Sequence, residues 1–302
     1  MKAIFIDIDN TLLDFDAYVR ESMRAGFARF GLRPYEPWMY DIFVRENDKL
    51  WQAIERSELT FARLQEIRWN TVFRALGIEA DGIAFERYFR EALHESAIPV
   101  PGAHELLEQL HGRFLLCAAS NGPYAQQVHR LELSDMRKYF DYLFISEKIG
   151  VSKPSRAFYD AAFAELNAGR AQPIRPCETL MLGDSPTSDM AGGLQYGMRT
   201  CFFRRHPDKP APAGVDTVAA DLPQALREIL ALARRSVRAR RAARPWVVLA
   251  ARTGSGTSLR RSEELRIWAG QAEAQRFGVQ GLKGTEHGAR RAERFVRALS
   301  AR

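Results

Sequence analysis

Two aspartates near the beginning of the chain are the first residues whose types and spacing could do chemistry. Asp7 and Asp9 follow the apolar run Ala3–Ile6. Carboxylates two residues apart on an extended chain point to the same side, and they repel each other unless a cation or a proton lies between them. The pair therefore indicates a site for a hard divalent metal ion or an acid that is held protonated. An acidic helix N-cap is the alternative for this segment alone.

A hydroxyl group and a side-chain amide follow a later apolar run. Ser120, Asn121 and Gly122 directly follow the run Phe114–Ala119. The glycine permits a turn whose backbone N–H groups point toward an anion at the beginning of the next helix. Taken alone, the segment also fits an ordinary helix cap.

A lysine and a second pair of acids complete the set. Lys153 precedes Pro154, which biases the lysine backbone toward extended geometry. That geometry suits an ammonium group that points into a site, although a single lysine is usually just solvated. Asp184 and Asp189 follow the apolar run Thr179–Leu182. For Asp189, a helix N-cap is the alternative interpretation.

Short apolar runs predict the strands that must position these residues. Helical patterns follow most of the runs, and this alternation is typical of a Rossmann-like, doubly wound parallel α/β sheet. Such sheets bind ligands at the carboxyl ends of their strands, so the four groups of residues can converge there. The predicted strands are Ala3–Ile6, Phe114–Ala119, Tyr142–Ile145, Thr179–Leu182 and Thr200–Phe203, and the predicted following helices are Tyr124–Leu133, Ala157–Leu166 and Asp189–Tyr196.

A long helical stretch separates the first strand from the rest of the predicted sheet. It spans about 85 residues, far more than an ordinary crossover needs, and it predicts an inserted module with helices Ala17–Phe30, Trp38–Glu55, Phe61–Leu76 and Ile83–Glu95. We expect residues 1–16 and 97–235 to form the α/β core and residues 17–96 to form a helical cap. Residues 236–302 are expected to form a basic, flexible C-terminal extension.

The charge of the chain is divided unevenly along its length. The net charge is +7, but residues 231–302 hold 17 Lys and Arg against 5 Asp and Glu, while the remainder holds 27 against 32. A mildly acidic body argues against a nucleic-acid-binding surface there. The basic tail could bind nucleic acid or another polyanion, but it lacks interleaved aromatic residues and a recognisable module, so a solvated extension is the favoured interpretation.

Cysteine usage and hydropathy predict the cellular compartment. Cys117, Cys177 and Cys201 are odd in number and lack CxxC spacing, which disfavours a disulfide framework and a zinc site and predicts reduced thiols. No cleavable leader is evident, and no apolar run approaches the roughly 20 residues of a spanning helix. The sequence therefore predicts a cytoplasmic protein without a membrane partner.

Together, the four groups supply two acid pairs, a hydroxyl with amides, and a lysine at the strand ends of one sheet. This set can hold Mg²⁺, clamp a phosphoryl group and supply a nucleophile, because phosphoryl transfer depends mainly on positioning and charge neutralisation. The joint pattern therefore favours chemistry on a phosphate over four unrelated helix caps and solvated side chains.

In these motifs the sequence resembles the haloacid dehalogenase (HAD) superfamily, whose phosphatases carry DxDx(T/V), a Ser/Thr motif, a lysine and GDxxxxD. The resemblance covers residues 1 to about 230, and the helical module lies where the family places its C1 cap. More narrowly, the chain resembles the YjjG-like 5'-nucleotidases. The stretches that carry this narrower resemblance are Leu50–Glu55, Ile145–Pro154 and Leu182–Gly193.

The resemblance implies Mg²⁺ as the cofactor and a role for each site residue. Asp7 would attack phosphorus, and Asp9 would protonate the leaving group and then activate water. Mg²⁺ would be bound by Asp7, the backbone carbonyl of Asp9 and Asp184, while Asp189 would position the metal shell. The implied phosphate-binding residues are Ser120, Asn121 and Lys153.

These expectations combine into a Mg²⁺-dependent phosphomonoester hydrolase that acts through an aspartyl-phosphate. The predicted substrate is a small phosphorylated metabolite, a nucleoside monophosphate, cleaved by a 5'-nucleotidase activity. A sugar-phosphate or phosphoglycolate-type phosphatase of the same fold is the alternative enzyme, and nucleic-acid binding by the tail is the alternative from another class. Dehalogenases proper lack the second acid of the first motif, so Asp9 favours phosphate chemistry over carbon–halogen cleavage.

Overall fold

The computed structural model describes residues 1–206 and 210–235, which lie in one compact unit, Met1–Arg238. Within them, the strands are β1 (Ala3–Ile6), β2 (Leu115–Ser120), β3 (Tyr142–Ile145), β4 (Thr179–Gly183), β5 (Arg199–Phe203) and β6 (Thr217–Ala219). These six strands form one sheet in the order β3-β2-β1-β4-β5-β6, and all neighbouring strands are parallel. The predicted doubly wound α/β fold is confirmed.

Helices cover the sheet and form the insertion. Three of the predicted helices, Trp38–Glu55, Phe61–Leu76 and Tyr124–Leu133, have the predicted bounds. The helices are α1 (Phe15–Arg29), α2 (Trp38–Glu55), α3 (Phe61–Leu76), α4 (Gly82–His94), α5 (Ala103–Leu110), α6 (Tyr124–Leu133), α7 (Ser146–Ile149), α8 (Arg156–Asn167) and α9 (Ala191–Tyr196). A further helix, α10, covers residues 222–235.

The sheet is buried on both faces, as its continuous apolar strands predict. Because side chains alternate along a strand, Ile4 and Ile6 of β1 pack on the side of α5, α6 and α10. Ala3 and Phe5 pack on the side of α8. This central position of β1 leaves its carboxyl end between those of β2 and β4.

The inserted helices have a hydrophobic core of their own. Trp69 lies fully buried at its centre, with ring contacts to Phe43, Phe73 and Phe85 at centroid distances of 4.3–5.4 Å. A buried ion pair joins Arg68 Nη2 to Glu86 Oε1 at 2.6 Å and ties α3 to α4. The predicted bounds of the helical cap, residues 17–96, and of the α/β core, residues 1–16 and 97–235, stay a prediction.

Three elements of the described chain differ from the predicted ones or lack a predicted counterpart. The helix predicted from Asp189 is preceded by a π-helical turn, Pro186–Met190, before α9 begins. Strand β6 and the four-residue helix α7 had no predicted counterpart. None of the helices among the described residues is long and apolar enough to cross a membrane. The predicted basic extension, residues 236–302, lies outside the described residues.

Candidate active site

The two acid pairs converge at the carboxyl ends of β1 and β4. Ile6 pairs with Leu182 in the parallel register, and the N–H of Asp7 donates to the carbonyl of Leu182 at 2.9 Å. Asp184 follows β4 by one residue, so it leaves the sheet beside Asp7. One carboxylate oxygen from each of Asp7, Asp184 and Asp189 lies within 4.8 Å of the other two. The structure thus brings together three of the predicted acids in one cluster.

Asp189 is held inside the π-helical turn rather than at a helix cap. Its side chain is fully buried, and its Oδ2 accepts a hydrogen bond from the N–H of Ser185 at 3.1 Å. Ser185 itself caps the turn, because its hydroxyl accepts from the N–H of Ser188 at 3.1 Å. A Cβ at Gly183 would lie 2.1 Å from Asp189 Oδ2. A glycine before Asp184 is therefore what allows Asp189 to reach the cluster.

Lys153 neutralises part of this negative charge. Its ammonium group lies 2.8 Å from Asp7 Oδ1 and 2.6 Å from Asp189 Oδ1, and it also donates to the carbonyl of Ala119 at 2.6 Å. The side chain is almost completely buried. Lys153 is therefore not the ordinary solvent-exposed lysine that was the alternative interpretation. Every proton of the ammonium group has an acceptor, so the lysine is fixed in position.

Asn121 positions Lys153. Its Oδ1 accepts from the Lys153 N–H at 2.8 Å, and its Nδ2 donates to the Lys153 carbonyl at 2.9 Å. The amide therefore joins the loop after β2 to the loop before α8, across 32 residues of sequence. The predicted phosphate contact of Asn121 stays a prediction, and in this arrangement its side chain supports the lysine.

Burial and charge shift the pKa values of Asp7, Asp184 and Lys153. Burial raises the pKa of Asp7 to about 7, with Lys153 opposing the shift and Asp189 adding to it. Burial also raises the pKa of Asp184, and the Asp7 charge raises it further. Burial lowers the pKa of Lys153, but the charges of Asp189 and Asp7 raise it to a higher value than usual.

This cluster has the chemistry of a divalent cation site. Three carboxylates face one ammonium group, so the net charge is negative when all groups are ionised. Ligands that are all oxygen suit a hard cation such as Mg²⁺. The pKa values of Asp7 and Asp184 are raised because both acids are desolvated and repel their neighbours. A bound cation relieves the same repulsion that a proton relieves. The residues present therefore fit the metal that the sequence predicts.

Asp9 lies beside the cluster, but its carboxylate is directed to α6. Oδ1 accepts from Arg130 Nη1 at 2.5 Å and Oδ2 accepts from Gln127 Nε2 at 2.6 Å. Gln127 Nε2 also lies 2.7 Å from the Ser120 hydroxyl. Gln127 thus joins the predicted acid–base residue to the predicted phosphate-binding hydroxyl. The predicted metal contact of Asp9, through its backbone carbonyl, stays a prediction.

Gln127 and Arg130 were missed by the sequence reasoning. Both are almost completely buried, yet on a helix surface a glutamine and an arginine three residues apart usually face solvent. Arg130 Nε also donates to the carbonyl of Ser96 at 2.9 Å. Ser96 lies in the segment that leads from the cap back to the core. The one feature of the sequence that points to them is their position on the first helix after the Ser120 motif, next to the carboxyl ends of the strands.

A cavity of about 690 Å³ opens above the cluster, within the range of small-molecule sites. Its floor includes Asp7, Lys153 and Asp184, and its wall includes cap residues. Trp51 and Phe61 are in ring contact there, with centroids 5.7 Å apart. Other cap residues that line the cavity are Tyr40, Phe43, Asn47, Glu55, Arg68 and Arg90.

Comparison with known proteins identifies the family. Residues 1–197 match the model of the haloacid dehalogenase-like hydrolases. The pyrimidine 5'-nucleotidase PynA of Streptococcus pneumoniae is 32% identical over 206 residues, covering 68% of this chain and 84% of that protein. The pyrimidine 5'-nucleotidase YjjG of Escherichia coli is 31% identical over 212 residues, covering 70% of this chain and 89% of that protein.

A solved structure agrees with these relatives. The HAD-hydrolase YfnB of Bacillus subtilis, solved bound to magnesium, has a TM-score of 0.67 at 28% identity and covers 75% of this chain and 97% of its own. The chain belongs to the haloacid dehalogenase-like hydrolases, and the predicted family is confirmed. It is a hydrolase whose relatives include phosphatases, as the sequence predicts.

Proposed function

We propose that this protein is a Mg²⁺-dependent phosphatase that forms an aspartyl-phosphate on Asp7 and acts as a 5'-nucleotidase on pyrimidine nucleoside monophosphates. The observation that carries the proposal is the position of Asp7, which lies among two acids and a buried lysine at the floor of a cavity. The geometry supports attack by the Asp7 carboxylate on a bound phosphate, because positive charge that can neutralise the phosphate is concentrated beside the two Asp7 oxygens.

Asp7 holds its reacting oxygen in a fixed direction. Oδ1 is paired with Lys153, and Oδ2 accepts from the Thr11 hydroxyl at 3.3 Å. In the first step an Asp7 oxygen bonds to phosphorus and the bond to the nucleoside oxygen breaks. In the second step water attacks the phosphorus, and the Asp7 carboxylate is released with inorganic phosphate.

Asp9 supplies the proton movements of both steps. It protonates the leaving nucleoside oxygen in the first step and accepts a proton from the attacking water in the second. To do so, the Asp9 carboxylate exchanges its contact with Arg130 for one with the reacting oxygen. Gln127, which contacts both Asp9 and Ser120, keeps the acid–base residue next to the phosphate-binding hydroxyl during this exchange.

Asp7, Asp184 and the backbone carbonyl of Asp9 would hold Mg²⁺, which supplies positive charge to the phosphate oxygens. Asp189 orients Lys153 and shields it from solvent, since its carboxylate contacts the ammonium group at 2.6 Å in a fully buried position. Ser120 and the N–H groups that follow it bind phosphate oxygens. Lys153 neutralises the charge that collects on Asp7 and phosphate.

The nucleotide preference is supported by the cavity and by two relatives. A cavity of about 690 Å³ accommodates a nucleoside monophosphate, and the rings of Trp51 and Phe61 offer a surface on which a base can stack. PynA and YjjG carry the name pyrimidine 5'-nucleotidase. A sugar-phosphate substrate remains the alternative, since other relatives are named for phosphatases of that kind. The cytoplasmic location stays a prediction.

Phosphate release from a substrate panel tests this proposal. The panel contains UMP, CMP, dUMP, AMP, GMP, ribose 5-phosphate and glycolate 2-phosphate, each measured with Mg²⁺ and with EDTA. We expect Mg²⁺-dependent release with the highest kcat/KM on the pyrimidine nucleotides. Mg²⁺-dependent release that is highest on a sugar phosphate would overturn the nucleotidase assignment and retain the phosphatase. No release from any substrate by folded protein would overturn both.

A further inference from the structure

A second cluster of metal-ligating side chains lies away from the candidate active site. His94 is the last residue of α4, Glu95 follows it as the C-cap residue, and His129 lies on α6. A ligand atom from each of the three residues lies within 4.8 Å of the other two. Neither the sequence motifs nor the proposed reaction uses any of them.

The distances within this cluster are close to those of a tetrahedral metal site. Glu95 Oε1 lies 3.5 Å from His129 Nε2 and 3.9 Å from His94 Nε2. Ligand bonds of about 2.0–2.2 Å in tetrahedral geometry place neighbouring ligand atoms about 3.4 Å apart. The His94 and His129 rings are stacked, with centroids 4.1 Å apart and an interplanar angle of 10°, so both rings must turn before their nitrogens converge on one ion. Glu95 is exposed, with 69% of its side chain accessible, so an ion has a route of entry.

An unpartnered nitrogen is the second observation that points to a cation. Among the residues that the structure describes, His129 Nε2 has no hydrogen-bond partner and is itself shielded from solvent, although 37% of the His129 side chain is accessible. A buried polar atom without a partner is costly, and this one faces a carboxylate oxygen. Two imidazoles with one carboxylate form a ligand set typical of zinc sites. The same set suits Co²⁺ and Ni²⁺ far better than Mg²⁺.

The three ligands come from both sides of the boundary between cap and core. His94 and Glu95 end the cap helix α4, and His129 belongs to the core helix α6. The residues that follow Glu95 and His129 are also in contact, because Arg130 Nε donates to the Ser96 carbonyl at 2.9 Å. An ion held by the cluster would therefore reinforce a junction that Arg130 already makes.

We propose that His94, Glu95 and His129 form a binding site for a divalent transition-metal ion of the Zn²⁺ class, and that the bound ion fastens the end of the cap to α6. The fourth coordination position is left for water. Metal binding at this site does not depend on the proposed function. Its effect on turnover does, because substrate enters and product leaves between cap and core.

Titration of the full-length protein with Co²⁺, followed by its visible absorption, tests the site directly. Mg²⁺ is kept in large excess so that it occupies the acidic cluster. We expect one Co²⁺ ion in tetrahedral coordination, displaced by Zn²⁺, with an affinity reduced at least tenfold in each of His94→Ala, Glu95→Gln and His129→Ala. His104→Ala, at an exposed position of α5, is the control and keeps the affinity of the unaltered protein. Equal affinity in all five proteins would overturn the proposal.

The fastening role has its own readout. Zn²⁺ should raise the midpoint of thermal unfolding of the unaltered protein and slow its phosphate release with Mg²⁺ present, and both effects should be lost in His129→Ala. Equal inhibition of both proteins would place the inhibitory ion at the acidic cluster and overturn the fastening role. If the protein releases no phosphate at all, the proposed function fails, while the Co²⁺ titration still decides the metal site.

Discussion

Replacement of Lys153 by methionine should destabilise the metal-free protein by about 3–5 kcal/mol, the usual cost of removing one partner from a buried ion pair. Methionine keeps most of the length of the side chain and removes only the charge. The ammonium group contacts Asp7 and Asp189 at 2.8 and 2.6 Å with 1% of its side chain accessible. Its loss leaves two buried carboxylates without a cation.

The pH dependence of this loss follows from the sign of the pKa shifts. Burial raises the pKa of Asp7 above its ordinary 3.8 to about 7, and Lys153 opposes that shift. A raised acid pKa favours the folded state at low pH and loses that contribution as the pH rises through the folded value. Without Lys153 the shift is larger, so the difference in unfolding free energy between Lys153→Met and the unaltered protein should grow from pH 5 to pH 8.

Urea unfolding in EDTA, at several pH values between 5 and 8, measures the effect. Lys148→Met is the matched control, because Lys148 is an exposed lysine of α7 and its loss should cost less than about 0.5 kcal/mol. The double variant Lys153→Met/Asp189→Asn should regain at least half of the lost stability, since one unpaired charge is removed. An unchanged unfolding free energy in Lys153→Met, or no recovery in the double variant, would refute this electrostatic account of the cluster.

Three further predictions test other parts of the molecule. Arg130→Met should lower kcat on a nucleoside monophosphate by up to about 10²-fold with little change in KM. The loss should be smaller on p-nitrophenyl phosphate, whose leaving group needs no proton. Equal losses on both substrates would argue against a role through Asp9. The apparent Mg²⁺ affinity, measured by calorimetry, should fall at least about tenfold per pH unit below pH 7 because the ion displaces protons from Asp7 and Asp184, and Asp7→Asn should weaken this dependence. Gly82→Ala should destabilise the protein by about 1–3 kcal/mol, since the added Cβ would lie 2.4 Å from the Asn70 backbone nitrogen; unchanged thermal unfolding would contradict that packing.

The sequence predicts the parts of the fold that have a strong local signal. Strands β1 and β3 have the predicted bounds because each is a short run of apolar residues that the sheet buries on both faces. Strand β6 was missed because it has three residues, of which only Ala219 is buried. The four-residue helix α7 directly follows β3, and it is too short for helical periodicity to separate it from the loop.

The site is predictable where its residues follow strands and less so where packing decides. Asp7 and Asp184 are marked by the apolar runs before them, and the parallel register then brings them together. Gln127 and Arg130 give no such signal, because their burial depends on how α6 packs beside the segment that returns from the cap. The link from Asn121 to Lys153 spans 32 residues, and only the folded chain shows it.

Phosphate release by Asp7→Asn tests the central claim most directly. The variant keeps the size of the side chain and removes the carboxylate that we propose as the nucleophile, so release from UMP with Mg²⁺ should fall to the level of a reaction without enzyme. Circular dichroism and thermal unfolding would establish that the variant is folded. Release by the folded variant at a rate within about tenfold of the unaltered protein would contradict an aspartyl-phosphate on Asp7.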